Sequence, residues 1–295
     1  DEWKDEKIML EDIMKFLDNV LTDFITRAPE SFSDATYAAM RERSVGLGVM
    51  GFHSFLQKNS IPIESVMAKV WNNKMFKQID KEVNAASVKL AEERGPCPDA
   101  ADYGIMERFS NKTAIAPTAS ISIICGGASP GIEPVAANSY THKTLSGSFN
   151  VRNKYLKQIL AKYEKDTDEV WSSITTNQGS ISHLDFLSDL EKDVFKTAFE
   201  IDQRWLIDHS ADRTPYVSQA QSLNVFLPAD VHKKDLHQIH FQAWKKGLKS
   251  MYYCRSKSIQ RAEVINQTVA DAAKNQPAEA PSGEAANYEE CLSCQ

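Results

Sequence analysis

At 295 residues, with a formal net charge of −6 and a pI near 5.7, the chain has room for one large domain or two modest ones. The acidic balance argues against a surface for nucleic-acid polymers, and no apolar run approaches the length that spans a membrane. Residues 1–7 (DEWKDEK) are unlike a secretory signal, so the five cysteines read as thiols of a reducing, cytoplasmic setting rather than a disulfide framework.

Met9, Ile13, Phe16, Leu17, Val20 and Phe24 recur at helical spacing and predict a helix over 8–26 with one buried face. Ser33 or Asp34 caps a second, short helix through Met40. Arg41, Glu42 and Arg43 then give way to the glycine-spaced residues 44–51 and an apolar helical stretch, 52–57. Residues 64–93 read as a long amphipathic helix, ended by Gly95 and Pro96. The segments 114–119 and 121–125 flank a turn. Further helix is predicted over 154–163 and 184–210, the latter with Phe186, Leu187, Leu190, Val194, Phe195 and Phe199 on one broad stripe. Residues 222–227 (SLNVFL) suit a short buried strand, 234–249 a helix, and 250–253 the strand after it. Strands alternating with helices predict a parallel α/β arrangement, with too few strands to close a barrel of its own.

Gly46, Gly48 and Gly51 satisfy G-x-G-x-x-G, but the hydrophobic strand that a dinucleotide fingerprint needs before it is replaced by Met40-Arg41-Glu42-Arg43. A tightly packed strand and turn is the better account. Pro117, Thr118, Ala119, Ser120 and Ile121 place hydroxyls and successive backbone N–H groups at the start of a helical turn. That is chemistry suited to phosphate, though most such clusters are ordinary capped turns. Gly126, Gly127 and the run Gly131-Ile132-Glu133-Pro134 suggest close backbone approach. In an ideal strand Tyr252 and Tyr253 would point to opposite faces, one inward and one outward. The seven histidines are scattered, and His237 and His240 read as surface or capping residues.

Cys291 and Cys294 close the chain as C-x-x-C after a stretch, 266–290, almost devoid of large apolar residues. A disulfide there would tie a loose end to itself, and a zinc site would lack two ligands. On a tether whose ~24 residues reach ~27 Å, the pair instead suits thiol exchange. The bland alternative is a disordered end with incidental cysteines.

Together, residues 43–55 (RSVGLGVMGFHSF), 113–134 (TAIAPTASISIICGGASPGIEP), 139–149 (SYTHKTLSGSF), 211–226 (ADRTPYVSQAQSLNVF), 243–255 (AWKKGLKSMYYCR) and the terminal C-x-x-C form one ordered set. That set resembles the C-terminal part of the large subunit of class I ribonucleoside-diphosphate reductases, over essentially the whole chain. The resemblance implies the C-terminal half of a ten-stranded α/β barrel over 1–265, followed by a flexible redox-active tail over 266–295. It implies that Pro117, Thr118, Ala119, Ser120 and Ile121 hold the substrate diphosphate, by main chain alone at Ile121, where many relatives carry a hydroxyl. By the same likeness Tyr252 and Tyr253 form a stacked radical relay, and Cys291 and Cys294 re-reduce an active-site disulfide before exchanging with thioredoxin or glutaredoxin.

The family's finger loop with its Asn, radical Cys and Glu, and its second pair of reducing cysteines, match nothing in this sequence. The resemblance therefore implies a split subunit or a fragment, inactive alone, that needs an N-terminal piece. It also implies a small subunit carrying a tyrosyl radical and di-iron centre, with no cofactor in this chain, for reduction of ribonucleoside diphosphates in deoxyribonucleotide synthesis. A scaffold derived from the same fold is the other reading. Retention of Tyr252, Tyr253, Cys291 and Cys294 together weighs against it.

Overall fold

Short apolar segments separated by helices satisfy their backbone groups by pairing in parallel, and four segments of this chain do so. The structure, a computed structural model, describes residues 7–144 and 147–257. The N–H groups of Val45 and Leu47 donate to the carbonyls of Asn111 and Lys112, and Ala114 donates back to Leu47. Gln219 donates to Thr113, Ile115 to Ala220 and Ser222 to Ile115. The third segment then crosses to the fourth: Tyr252 donates to Leu223 and Val225 to Tyr253, leading into the parallel strands β3 (Val225–Pro228) and β4 (Cys254–Lys257).

The glycine-spaced segment makes this ladder possible. A Cβ on Gly48 would lie 2.6 Å from the carbonyl oxygen of Ala114, so only glycine lets the two backbones meet. Residues 44–51 are extended and tightly packed, but pair through a single bridge, Leu47 with Thr113, rather than as a regular strand. Apart from this ladder, β1 (Ser139–Thr144) and β2 (Gly147–Arg152) form an antiparallel hairpin.

Helices surround the ladder. In chain order they are α1 (Lys7–Arg27), α2 (Ser33–Glu42), α3 (Phe52–Lys58), α4 (Val66–Arg94), α5 (Pro98–Ala101) and α6 (Ile121–Ile124). There follow α7 (Lys154–Lys162), α8 (Asp168–Thr176), α9 (Asp189–Val194), α10 (Gln203–Arg213) and α11 (Lys233–Lys245). The long α4 begins where the Ser65 side chain accepts from the Ala68 N–H. Phe52, Leu56, Ile63, Phe76, Ile207, Leu223 and Val225 make the main core against the ladder. Leu156, Leu160, Trp171, Ile174 and Phe195 build a second core beside the hairpin, and Met14, Val45, Ile79, Val83 and Phe109 join α1 to α4 in a third.

Between α1 and α4 the carboxylate of Asp18 is fully buried. It accepts from Arg43 Nε and Arg108 Nε at 2.8 Å each, and from Arg94 Nη1 at 2.6 Å. Burial alone would raise its pKa, but hydrogen bonds and charge from the three guanidinium groups hold it below the usual carboxylate value.

Several expectations need correction. The buried face of α1 is not the one the pattern suggested: Phe16 is 64% exposed and Val20 48%, while Leu10 and Met14 are buried. Positions 10, 14, 17, 18 and 21 follow helical spacing too, and the arginine-bound Asp18 brings that face inward. The single helix over 184–210 is two, because Ser188 and Glu191 form a capping box and Asp202 caps a fresh start. Its stripe is divided accordingly: Phe195 enters the second core, Phe199 packs on the main one, and Leu190 is 56% exposed.

The final strand starts after residues 250–253, at Cys254. The parallel α/β arrangement is present. Among the described residues, however, the regular strands form two two-stranded sheets, and continuous strands of a half-barrel are not seen. The other pairings are isolated bridges, Leu47 with Thr113 and Ile115 with Gln221. The tail 266–295 lies outside the described residues.

Candidate functional site

Ala116 ends the second ladder segment, and the chain there turns sharply. Thr118 has φ of +55°, a left-handed conformation strained for a β-branched residue. Its hydroxyl accepts from the Gly131 N–H at 2.7 Å, which offsets the strain and ties the loop to a later segment. Ser122 closes the turn, its N–H donating to the Thr118 carbonyl and its hydroxyl to that of Ala119.

The four-residue α6 follows, so the N–H groups of Ala119, Ser120 and Ile121 stand ahead of any intrahelical acceptor. No intramolecular acceptor for them is found among the described residues. Ser120 is exposed and makes no capping bond with its side chain, and Ile121 is 56% exposed. The loop thus carries backbone donors with no acceptor among the described residues beside the exposed Ser120 and Ile121, while the Thr118 hydroxyl accepts from Gly131.

Residues 128–135 rest on α3. Gly51 donates to the Ser129 carbonyl, the Ser54 and Ser129 hydroxyls each accept from the other's N–H, and His53 Nδ1 accepts from the Val135 N–H at 3.1 Å. Full burial keeps His53 neutral, its pKa pushed down to about 3, as this acceptor role requires.

At the far side of this segment stands Glu133, 4% exposed. Its two oxygens accept from the backbone N–H of Asn224 at 3.0 Å and from Asn224 Nδ2 at 3.1 Å. Burial raises its pKa, against the lowering effect of the Asn224 bonds and of Arg255. Asn224, wholly buried, passes the contact on: its Oδ1 accepts from the Tyr253 N–H at 3.0 Å.

Tyr252 and Tyr253 are therefore held in the ladder by their main chain. Their rings do not splay to opposite faces. The centroids are 4.1 Å apart with planes tilted by 53°, and the residues are 46% and 41% exposed. The rings touch at an angle rather than lying parallel. A phenol pair in contact and half open is suited to passing an electron and a proton between neighbours.

Of the sequence-derived candidates, Pro117 to Ile121 form one loop and Tyr252 with Tyr253 one pair. Cys291 and Cys294 lie outside the described residues. Sequence reading missed Asn224 altogether and treated Glu133 only as part of a glycine-led run. The signal available was a lone carboxylate between Ile132 and Pro134 in a segment otherwise without charge, and an Asn inside an apolar strand. Among the described residues no group of three or more His, Cys, Asp or Glu side chains is placed to hold a metal. Cys97 is buried, and Cys125 and Cys254 are exposed free thiols.

Comparison with known proteins gives these features a setting. A family model for the ribonucleotide reductase barrel domain matches residues 2–103 and 99–254. The ribonucleoside-diphosphate reductase large subunit of Invertebrate iridescent virus 6 is 47% identical over 270 residues, or 90% of this chain and 28% of that protein. The corresponding subunit of Invertebrate iridescent virus 3 is 42% identical, over 92% of this chain and 43% of its own length. Among solved structures, the Actinobacillus ureae class Id ribonucleotide reductase alpha subunit matches with a TM-score of 0.81 at 37% identity. The match covers 89% of this chain and 48% of that one. The chain spans less than half the length of these relatives.

Proposed function

Since the chain belongs to the ribonucleotide reductase barrel-domain family, we propose that it is the C-terminal component of a ribonucleoside-diphosphate reductase large subunit, supplying three working parts of it. The observation that carries the reading is the contact of Tyr252 and Tyr253, 4.1 Å between centroids on a half-exposed face of the parallel ladder.

The pair relays a radical. A small subunit oxidises one phenol by removing an electron while its proton leaves; that phenol is restored by an electron and a proton from the second, which is oxidised in turn. The equivalent then passes to a cysteine that another piece of the large subunit contributes. No other side-chain type here combines an aromatic ring with an ionisable O–H. Pro117 to Ile121 hold the substrate diphosphate, chiefly through the unpaired N–H groups of residues 119–121. The Thr118 hydroxyl shapes the loop and keeps its proton available for donation. Cys291 and Cys294 regenerate the enzyme: their two thiols give two electrons and two protons to an active-site disulfide and become a disulfide themselves. Thioredoxin or glutaredoxin reduces that in turn.

The test is reconstitution. Mixed with the remainder of the large subunit and a radical-bearing small subunit, the chain should support reduction of a ribonucleoside diphosphate, and alone it should not. Tyr252→Phe or Tyr253→Phe should stop turnover and leave thermal unfolding unchanged. Turnover by either variant, or by this chain alone, would refute the reading. Replacing Cys291 and Cys294 by Ser should abolish turnover driven by thioredoxin and spare turnover driven by dithiothreitol. Equal loss of both would make the pair structural.

A further inference from the structure

Asn224 occupies a position where either end of its amide fits sterically but only one fits chemically. Toward β4 it faces the N–H of Tyr253, which needs an acceptor. On its other side it faces Glu133, which holds both the backbone N–H and Nδ2 of the same residue. A carboxylate has two acceptor oxygens and, when ionised, no donor. It therefore admits only the amide orientation with Nδ2 toward Glu133, which leaves Oδ1 toward Tyr253. A glutamine in its place would accept from the backbone N–H with its oxygen, but would then set its own NH2 against Nδ2.

We propose that Glu133 is the positioning residue of the tyrosine pair, fixing the Asn224 amide so that it holds the backbone from which both phenols project. This rests on the relay reading above and gives that relay a support. Glu133 is well placed for the task because its own segment is rigid. Its N–H donates to the Pro130 carbonyl, Gly131 is bound to Thr118, and Val135 is bound to His53. A side chain mounted there cannot follow Tyr253 if the fourth ladder segment drifts, so the segment is held instead.

Burying a carboxylate has a cost that a purely structural contact could avoid, since a neutral acceptor would satisfy one N–H without desolvating a charge. The carboxylate is distinguished by what it forbids, namely the flipped amide. In the flipped state Nδ2 would face the Tyr253 N–H, donor against donor, and the ladder between Leu223 and Val225 would open at the residue carrying the second phenol.

The experiment is a polarity swap. In Glu133→Gln, either the new NH2 repels Nδ2 or the Asn224 amide turns and abandons Tyr253. In the double variant Glu133→Gln, Asn224→Asp the complementarity returns. The Gln oxygen accepts from the backbone N–H, its NH2 donates to one Asp oxygen, and the other Asp oxygen accepts from Tyr253. Two readouts apply. Hydrogen exchange of the Tyr253 amide, measured on the full chain, should speed up about tenfold in the single variant, as for one lost hydrogen bond, and slow again in the double. In the reconstituted reductase, kcat should fall about tenfold in the single variant and recover in the double, with KM for the nucleoside diphosphate unchanged.

Unchanged exchange in Glu133→Gln, or a double variant no better than the single, would overturn the proposal. So would altered exchange with wild-type kcat, since Glu133 would then hold backbone without serving the relay. If Tyr253→Phe turned over normally, the relay reading would fail first, while the exchange data would still report whether Glu133 orients Asn224.

Discussion

Asp18 and Glu133 are both buried carboxylates, and the protein treats them in opposite ways. Asp18 meets three guanidinium groups, and its pKa is lowered. Glu133 meets one amide side chain and one backbone N–H, and its pKa is raised. Excess cationic charge makes the first a strut binding α1 to α4 and to the start of the ladder. The second has its charge only partly compensated and gains direction in exchange: it tells a neighbour which way to face. Burial and chemical type are alike in both, so the partners decide whether a buried acid serves strength or orientation.

The largest effect that would break this contrast is at Asp18. Removing it takes away the ion-pair partner that Arg43 and Arg108 share, and among the described residues neither has another. Asp18→Ala is expected to lose about 3–5 kcal/mol in denaturant unfolding, as for one member of a buried ion pair. A loss under about 1 kcal/mol, within the range of surface pairs, would remove the distinction.

Acid titration sharpens the contrast against a background set by two buried histidines. His53 and His209 are pushed down from 6.5 to about 3 and about 4, by burial foremost. Their folded pKa values are depressed, so the unfolded chain binds more protons below 6.5. Stability is then lost as pH falls from 6.5 toward about 4, at about 1.4 kcal/mol per unit for each histidine. Thermal unfolding between pH 7 and 4.5 should show that slope, and His209→Asn should reduce it by about half.

At lower pH the two acids part. Asp18 contributes stability above its ordinary value of 3.8, lost as pH falls through its lower folded value. Glu133 has a folded pKa above its ordinary 4.5, so its ionisation penalty is present at neutral pH and is relieved as pH falls through that raised value. Asp18→Asn should therefore flatten the acid limb and Glu133→Gln steepen it; curves of the same sign would contradict the contrast.

Arg94 tests how much of the strut is redundant. It is 29% exposed and shares Asp18 with two deeper partners, so Arg94→Ala should cost about 1 kcal/mol in the same unfolding assay. The smallest effect is at the loop, where Ser120→Ala should weaken nucleoside diphosphate binding by about 0.5–1.5 kcal/mol, one hydroxyl among several donors. Titration calorimetry on the reconstituted enzyme checks it, and Ala119→Glu, which places a charge against the phosphate, should cost more.

The parallel α/β plan, the long helix α4 and the turn at 117–121 were legible in the sequence, because each is written in local residue types; alternation put Tyr252 and Tyr253 on opposite faces, and only the family resemblance brought their rings together. The inward face of α1 was not. Two interleaved apolar faces fit the same stretch, and the choice lies in arginines 25 to 90 residues away. Strand limits were misread where residues 250–253 pair through single hydrogen bonds rather than a regular register. Asn224 was invisible for a similar reason. Its partners Glu133 and Tyr253 lie 91 and 29 residues distant, and a polar residue in an apolar run carries no local sign of what it will meet.

The backbone carbonyls of Ala114 and Ala116 lie against two glycines, Gly48 and Gly131. A Cβ on Gly48 would reach within 2.6 Å of one carbonyl oxygen, and a Cβ on Gly131 within 2.8 Å of the other. The segment leading into Pro117 is therefore seated with no clearance on either side. In a machined part this would be an interference fit, in which the mount sets the position of the piece and adjustment is impossible. A methyl added at 48 or 131 would force one of the two backbones to shift. The fit at this mount and the Thr118 bond to Gly131 together set where residues 119–121 are placed.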